Sequence, residues 1–169
     1  MKFLIETPTI GFVETSASDI DLIIEIENQF ENNQFINPYT KERHLQVITN
    51  RDEMHLLIWN KIEKQIIGFI ILGGLENLNL SLEFRRIIIQ PKGKGFGKQS
   101  LRSIKNYCFQ QLKFHRLWLD VFDDNQVAIK FYLSEKFTQE GQLRDVVKYG
   151  NSYRSLLIFS ILEKEFYND

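Results

Sequence analysis

Ile87-Ile88-Ile89-Gln90-Pro91-Lys92-Gly93-Lys94-Gly95-Phe96-Gly97-Lys98-Gln99-Ser100-Leu101 passes from a buried-strand pattern through three alternating glycines into a helical one. A strand, a glycine loop and a helix N-terminus in that order form a site for a phosphate. The first helical turn leaves its N–H groups without carbonyl partners, and the aligned peptide dipoles add positive potential there. Two familiar phosphate loops fail on spacing. A Walker loop, G-x-x-x-x-G-K-[ST], needs glycine where Lys92 stands and a hydroxyl where Gln99 stands. A dinucleotide fingerprint, G-x-G-x-x-G, finds Lys98 or Ser100 in the place of its third glycine.

Composition narrows the setting. At 169 residues and 43% hydrophobic, the chain has the length and apolar content of one domain with one core, expected to span residues 1–169. Its 21 basic and 22 acidic residues leave a net charge of −1, so nothing calls for nucleic acid as a partner. One cysteine builds no disulfide framework, and Phe3-Leu4-Ile5 is too short for a signal peptide or membrane span. The expected location is cytoplasmic, away from the membrane.

Periodicity predicts a first strand over Ile10 to Glu14, then a helix capped by Ser18 and running to about Phe30, with Ile20, Ile23, Ile24 and Glu27 on one face. Asn32 to Pro38 reads as loop, and Thr40 starts a second helix toward Ile48. Met54 to Trp59, Gln65 to Leu72 and Leu80 to Gln90 read as three strands, the first two joined by the polar turn Asn60 to Lys64. Leu101, Ile104, Cys108 and Leu112 recur at helical spacing over Gly97 to Lys113. Arg116 to Val121 is a predicted strand and Asn125 to Glu135 a helix. Phe137 to Leu143 and Tyr153 to Leu162 are closing strands, with Gly141 to Tyr153 as a loop between them. The fold class is α/β, a mixed and mostly antiparallel sheet flanked by helices.

With the glycine loop, this element order and the segment Asn125-Gln126-Val127-Ala128-Ile129-Lys130-Phe131-Tyr132 in view, the chain resembles the GNAT superfamily of N-acetyltransferases. The loop is similar to that family's [Q/R]-x-x-G-x-[G/A] acetyl-CoA motif and the later segment to its N-x-x-A-I-x-x-Y. Gly95-Phe96-Gly97 with Lys98 to Arg102, and Gly141 to Asp145 before Tyr153, look most like the branch of ribosomal-protein N-terminal and spermidine acetyltransferases. Gln90 to Gly95 also satisfies the loop pattern. Lys92 to Gly97 is preferred because it leaves the right distance to Leu101 and Ile104, although Lys92 stands where the family has Gln or Arg.

The resemblance implies acetyl-CoA as acetyl donor, no metal, and an amine acceptor: a protein N-terminus, a polyamine or a small amine. The implied cofactor contacts are Ile87, Ile88, Ile89, Lys92, Gly93, Lys94, Gly95, Phe96, Gly97, Lys98, Asn125 and Lys130. A backbone N–H around Arg86 to Ile89 would polarise the thioester carbonyl. Tyr132 matches the family's general acid, against its plain reading as a core aromatic; Asn125 matches a pantetheine contact, against its plain reading as a helix cap. Glu83 is the candidate general base, with Glu27, Glu31 and water as alternatives; strand alternation puts Glu83 with Arg85 and Ile87, opposite Phe84 and Arg86. The acidic first helix, with Asp19, Asp21, Glu25, Glu27 and Glu31, fits a cationic acceptor or a solvated face equally. Cys108 reads as a buried hydrophobe, and His44, His55 and His115 lack ligand spacing. A non-catalytic acyl-CoA sensor and, more weakly, a nucleotide-binding protein remain open, as does a homodimer through the C-terminal strands.

Overall fold

The computed structural model describes residues 2–29, 31 and 34–168. Eight strands form one sheet: β1 (Ile5–Glu6), β2 (Ile10–Glu14), β3 (Glu53–Asn60), β4 (Gln65–Gly73), β5 (Ser81–Ile89), β6 (Arg116–Phe122), β7 (Thr138–Tyr149) and β8 (Ser152–Leu162). Their order is β1-β2-β3-β4-β5-β6-β8-β7, and every neighbouring pair is antiparallel except β5 with β6. Helices α1 (Ile20–Asn28) and α2 (Lys41–Thr49) bury Ile20, Ile23, Ile26 and Val47 with Phe69, Ile71 and Ile88 on one face of the sheet. Helices α3 (Phe96–Asn106) and α4 (Gln126–Ser134) cover the other, where Leu101, Ile104, Ile129 and Tyr132 join Leu82, Phe84, Leu119 and Phe159. A short α5 (Glu163–Tyr167) ends the chain's described part. The sheet is thus apolar on both faces, and the two clusters account for its cohesion.

Several boundaries differ from expectation for physical reasons. The first helical segment is capped at Ser16, not Ser18: the Asp19 carboxylate accepts from the Ser16 N–H at 2.8 Å and the Ser16 hydroxyl at 2.6 Å, and a 3₁₀ turn leads into α1. The helix stops at Asn28; Phe30, Asn32 and Asn33, where its expected end and the start of the next loop fall, lie outside the described residues. Thr40 caps α2 as predicted, accepting from the Arg43 N–H at 3.2 Å. After Asn106 the third helix widens to a π-turn over Tyr107–Gln111, and Lys113 closes it in the left-handed region, φ 59°.

The closing strand expected to end at Leu143 continues to Tyr149, so the segment 144–149, expected as loop, is strand. β7 is the outer edge, exposed along nearly its whole length, so it carries none of the apolar alternation that marks a strand in sequence. An irregularity between Leu143 and Val147, with Asp145 at φ 52°, scrambles the period further.

A bulge also overturns the expected alternation in β5. Ile71 pairs with Arg86 and Leu72 with Phe84, which leaves Arg85 as an extra residue. Beyond it the faces exchange: Arg86 reaches Glu27 on α1, while Ile87 packs into the cluster under α3 and α4. Glu83 and Arg85 do share a side, but Arg86 joins them and Ile87 does not. Among the described residues, no helix is long and apolar enough to cross a membrane.

Candidate active site

β5 and β6 pair only over Ser81–Glu83 with Arg116–Trp118 and then separate. The divergence begins where the Arg85 bulge bends β5, because a bulge adds twist and breaks the ladder. A cleft of about 780 Å³ fills the gap, walled by Glu83 to Ile89 of β5, Asp120 to Phe122 of β6, the start of α4 and the segment 34–39. The Gln90 N–H donates to the Ile67 carbonyl on β4 at 2.7 Å. Strand alternation therefore turns the Ile88 N–H toward β4 and those of Ile87 and Ile89 toward the cleft.

The glycine loop stands at one end. Gly93 and Gly95 both have φ 79°, a left-handed conformation that favours glycine, and Gly95 immediately precedes α3. Gln99 is the helix's first intrahelical donor, reaching the Gly95 carbonyl at 3.1 Å, so the N–H groups of Phe96, Gly97 and Lys98 lie ahead of the ladder. Nothing lies within 4 Å of where a Cβ would project from Gly93, Gly95 or Gly97. Bare backbone, open space and unpaired donors fit a diphosphate.

Of the residues singled out from sequence, Glu83, Ile87, Ile88, Ile89, Lys92, Gly97, Asn125 and Tyr132 line this one cleft. Lys94, Gly95 and Phe96 border a neighbouring hollow of about 370 Å³ with Thr9 and Gln99. Lys98 turns away toward Glu135, 3.3 Å distant, because that nearly sealed carboxylate gathers Arg102 and Lys105 as well. Lys130 is exposed and outside the lining: Val127, Ala128 and Phe131 make the cleft face of α4, and Lys130 falls off it.

Tyr132 is a core aromatic at the edge of the cleft. Its ring is 8% exposed and packs against Phe137 and Phe159, yet it borders the cleft, and its hydroxyl has no hydrogen-bond partner among the described residues. Burial pushes the phenol's pKa up, and the charge of Asp120 pushes it further. Asn125 caps α4 by accepting from the Ala128 N–H at 3.2 Å, leaving its amide nitrogen unpaired among the described residues.

The other end of the cleft is built from paired charges. Glu27, fully buried, accepts from Arg86, from the Tyr39 N–H at 2.8 Å and from His44 at 3.1 Å; Arg86 also holds the Asn37 carbonyl at 2.8 Å and lies 4.0 Å over the Tyr39 ring. Burial alone would raise the Glu27 pKa, but the His44 hydrogen bond and Arg86 outweigh it and hold it below the usual value. Its partners all lie inside the fold, which removes Glu27 from the candidates for proton acceptor and from any acidic surface. His44 meets His55 at 3.3 Å, and His55 meets Thr15 at 2.9 Å. Beside this, Arg85 donates to Glu83 from Nε at 2.9 Å and from a terminal nitrogen at 2.6 Å, and also binds Glu53, which Arg43 grips through two hydrogen bonds. Arg43, opposing burial, draws the Glu53 carboxyl down to about 2.

Sequence spacing did not reveal that the two histidines meet, since they lie on different elements. It also passed over Asp120, although Leu117, Leu119 and Val121 alternate with it on a strand; a carboxylate at that position was the available signal. Among the described residues no cluster of three or more His, Cys, Asp or Glu could hold a metal. Cys108 is fully buried and its thiol is pushed up to about 12 by that burial, leaving it inert.

Residues 21–137 match the Acetyltransferase (GNAT) family. The spermidine N(1)-acetyltransferase of Vibrio cholerae is 26% identical over 140 residues, 79% of this chain and 80% of that protein. The acetyltransferase PseH of Campylobacter jejuni is 33% identical over 136 residues, 76% of this chain and 82% of that one. The crystal structure of the V. cholerae spermidine N-acetyltransferase in complex with CoA and spermine superposes with a TM-score of 0.84 at 23% identity, over 96% of this chain and 100% of that one. The split sheet, the glycine-lined helix start and the family match converge on one conclusion: the chain belongs to the acetyltransferase (GNAT) family, as an enzyme moving acetyl from acetyl-CoA to an amine.

Proposed function

We propose that the acceptor is a small cationic amine of the polyamine kind, acetylated by direct attack inside the cleft. The observation that carries the reading is the parting of β5 from β6 after Glu83 and Trp118, which turns two backbone donors into a cavity ending at the glycine loop. The loop and the first turn of α3 would hold the donor's diphosphate, and Asn125 would offer its amide nitrogen to the pantetheine arm. The N–H groups of Ile87 and Ile89 would polarise the thioester carbonyl. Tyr132 would protonate the departing sulfur. Acetyl-CoA supplies the activated acyl group.

Direct attack is favoured by the lining itself, which contains no Cys, Ser, Thr or His among the described residues, the side chains that most readily carry an acyl group covalently. A cationic acceptor is favoured because Arg43, Arg85 and Arg86 are matched by Glu27, Glu53 and Glu83, which leaves the Asp120 carboxylate on the cleft wall without a counter-charge among the described residues. The relatives whose names specify an acceptor act on spermidine, and one has been solved with spermine.

The test follows free CoA thiol with acetyl-CoA and, separately, spermidine, spermine, 2-phenylethylamine and a peptide with a free N-terminus. Release with the polyamines is expected, and Tyr132→Phe should lower kcat by ~10²–10³-fold with acetyl-CoA affinity unchanged. Release with the peptide alone would replace the acceptor class. A second copy of the chain is the proposed partner along the exposed edge β7, to be read from sedimentation; a V. cholerae relative has been described as dodecameric.

A further inference from the structure

Three carboxylates line the cleft, and their surroundings differ. Glu83 is committed to Arg85 through two hydrogen bonds, and Arg85 is itself anchored to Glu53. Glu31 stands beside Lys92, 4.0 Å away, at the outer margin. Asp120 alone among them has no hydrogen bond or ion pair among the described residues.

Its position follows from the strand register. The last paired residue of β6 on the β5 side is Trp118, opposite Glu83, and Asp120 comes two residues later on the same face, just past the point of separation. On its other edge β6 continues its ladder with β8, where Asp120 pairs with Ile158, so the backbone beneath the carboxylate is fixed. Asp120 is exposed to the cleft rather than sealed in the core. It shares the cleft lining with Glu83 and Arg85 of β5 and with Tyr132 of α4.

Resting on the amine-acetylation reading, we propose that Asp120 rather than Glu83 accepts the acceptor's proton. The carboxylate takes one proton from the ammonium group, freeing the nitrogen lone pair to form the C–N bond at the thioester carbon. The C–S bond breaks with its electron pair on sulfur. Tyr132 passes its phenolic proton to that sulfur, and the second nitrogen proton returns to the phenolate, directly or through water. Amide and CoA thiol leave, and Asp120 sheds the one net proton to solvent.

The same charges link the two groups. Burial within the cleft walls and then the charge of Glu83 raise the Asp120 carboxyl above its ordinary value, opposed by Arg85. While ionised, Asp120 makes the phenol harder to ionise; once protonated it no longer does so.

Asp120→Asn, Asp120→Glu and Glu83→Gln are to be compared with the wild type by the pH dependence of kcat, using whichever of spermidine, 2-phenylethylamine or an N-terminal serine peptide the wild type acetylates fastest. Asp120→Asn should lose ~100-fold or more in kcat together with the acidic limb of the profile, while binding acetyl-CoA normally by calorimetry. Asp120→Glu should keep that limb at a reduced rate, a rescue that a merely structural role would not give. Glu83→Gln should keep it too. Loss of the limb in Glu83→Gln, or its survival in Asp120→Asn, overturns the assignment. Wild-type protein that binds acetyl-CoA but acetylates none of the three acceptors overturns the amine reading first, and the assignment with it.

Discussion

The two ends of the cleft are made differently. At the end proposed for the donor the groups presented are backbone: glycines at φ 79°, and N–H groups ahead of the first helical hydrogen bond. Side chains contribute little there, and Lys98 turns away altogether. At the end proposed for the acceptor the structure is held by side chains from α1, α2, β3, β5 and the segment 34–39, joined by buried hydrogen bonds around Glu27 and Arg86. Backbone recognition tolerates varied side chains provided the conformation is kept. A side-chain network tolerates the loss of a member poorly, because each missing partner strands a buried charge.

Four changes would break or sharpen that contrast. Gly95→Val forces a β-branched residue into the left-handed region and points its side chain into the open loop, and should weaken acetyl-CoA binding ~100-fold or more, about 2.8 kcal/mol, by calorimetry. Retained affinity would show that backbone shape does not govern the donor end. Glu27→Ala leaves Arg86 buried and unpaired, and should cost ~3–5 kcal/mol in denaturant unfolding while raising KM for the amine more than for acetyl-CoA. An equal rise for both substrates would dissolve the distinction between the ends.

Acidification comes next. Burial, then the charges of His44 and Arg86, lower the His55 pKa from 6.5 to about 3, so the folded protein resists a proton that the unfolded chain accepts. Stability present above pH 6.5 should therefore be lost as pH falls toward 3, with the lowered carboxyls of Glu27 and Glu53 adding to the loss at the acid end. Melting temperatures followed across that window check it, and His55→Asn should flatten its upper part. Lys98→Ala is the smallest effect, under ~2-fold on acetyl-CoA affinity, since its charge is spent on Glu135.

The same contrast explains what could be read before any coordinates. Gly93, Gly95 and Gly97 between a strand and a helix are contiguous, and local chemistry dictates their shape; Asn125 and Tyr132 belong to one short helical motif. The interior strands were legible from their apolar runs. Glu27, His44, His55 and Arg86 were not, because each is an ordinary polar residue until folding brings 59 positions of separation between Glu27 and Arg86 down to one hydrogen bond. β7 was cut short at Leu143 because an edge strand has little to bury. The alternation through β5 failed at one residue, Arg85, and every assignment beyond it inverted.

That single residue has a consequence for how such a chain can change over generations. Removing Arg85 would preserve which side of the sheet each remaining β5 side chain occupies, because the strand on either side of the bulge already alternates correctly around it. It would also straighten the strand, letting β5 close against β6 like a zip past Glu83 and Trp118. A three-nucleotide deletion would then leave the faces of the sheet in order while closing the cleft and taking from Glu83 and Glu53 the arginine they share.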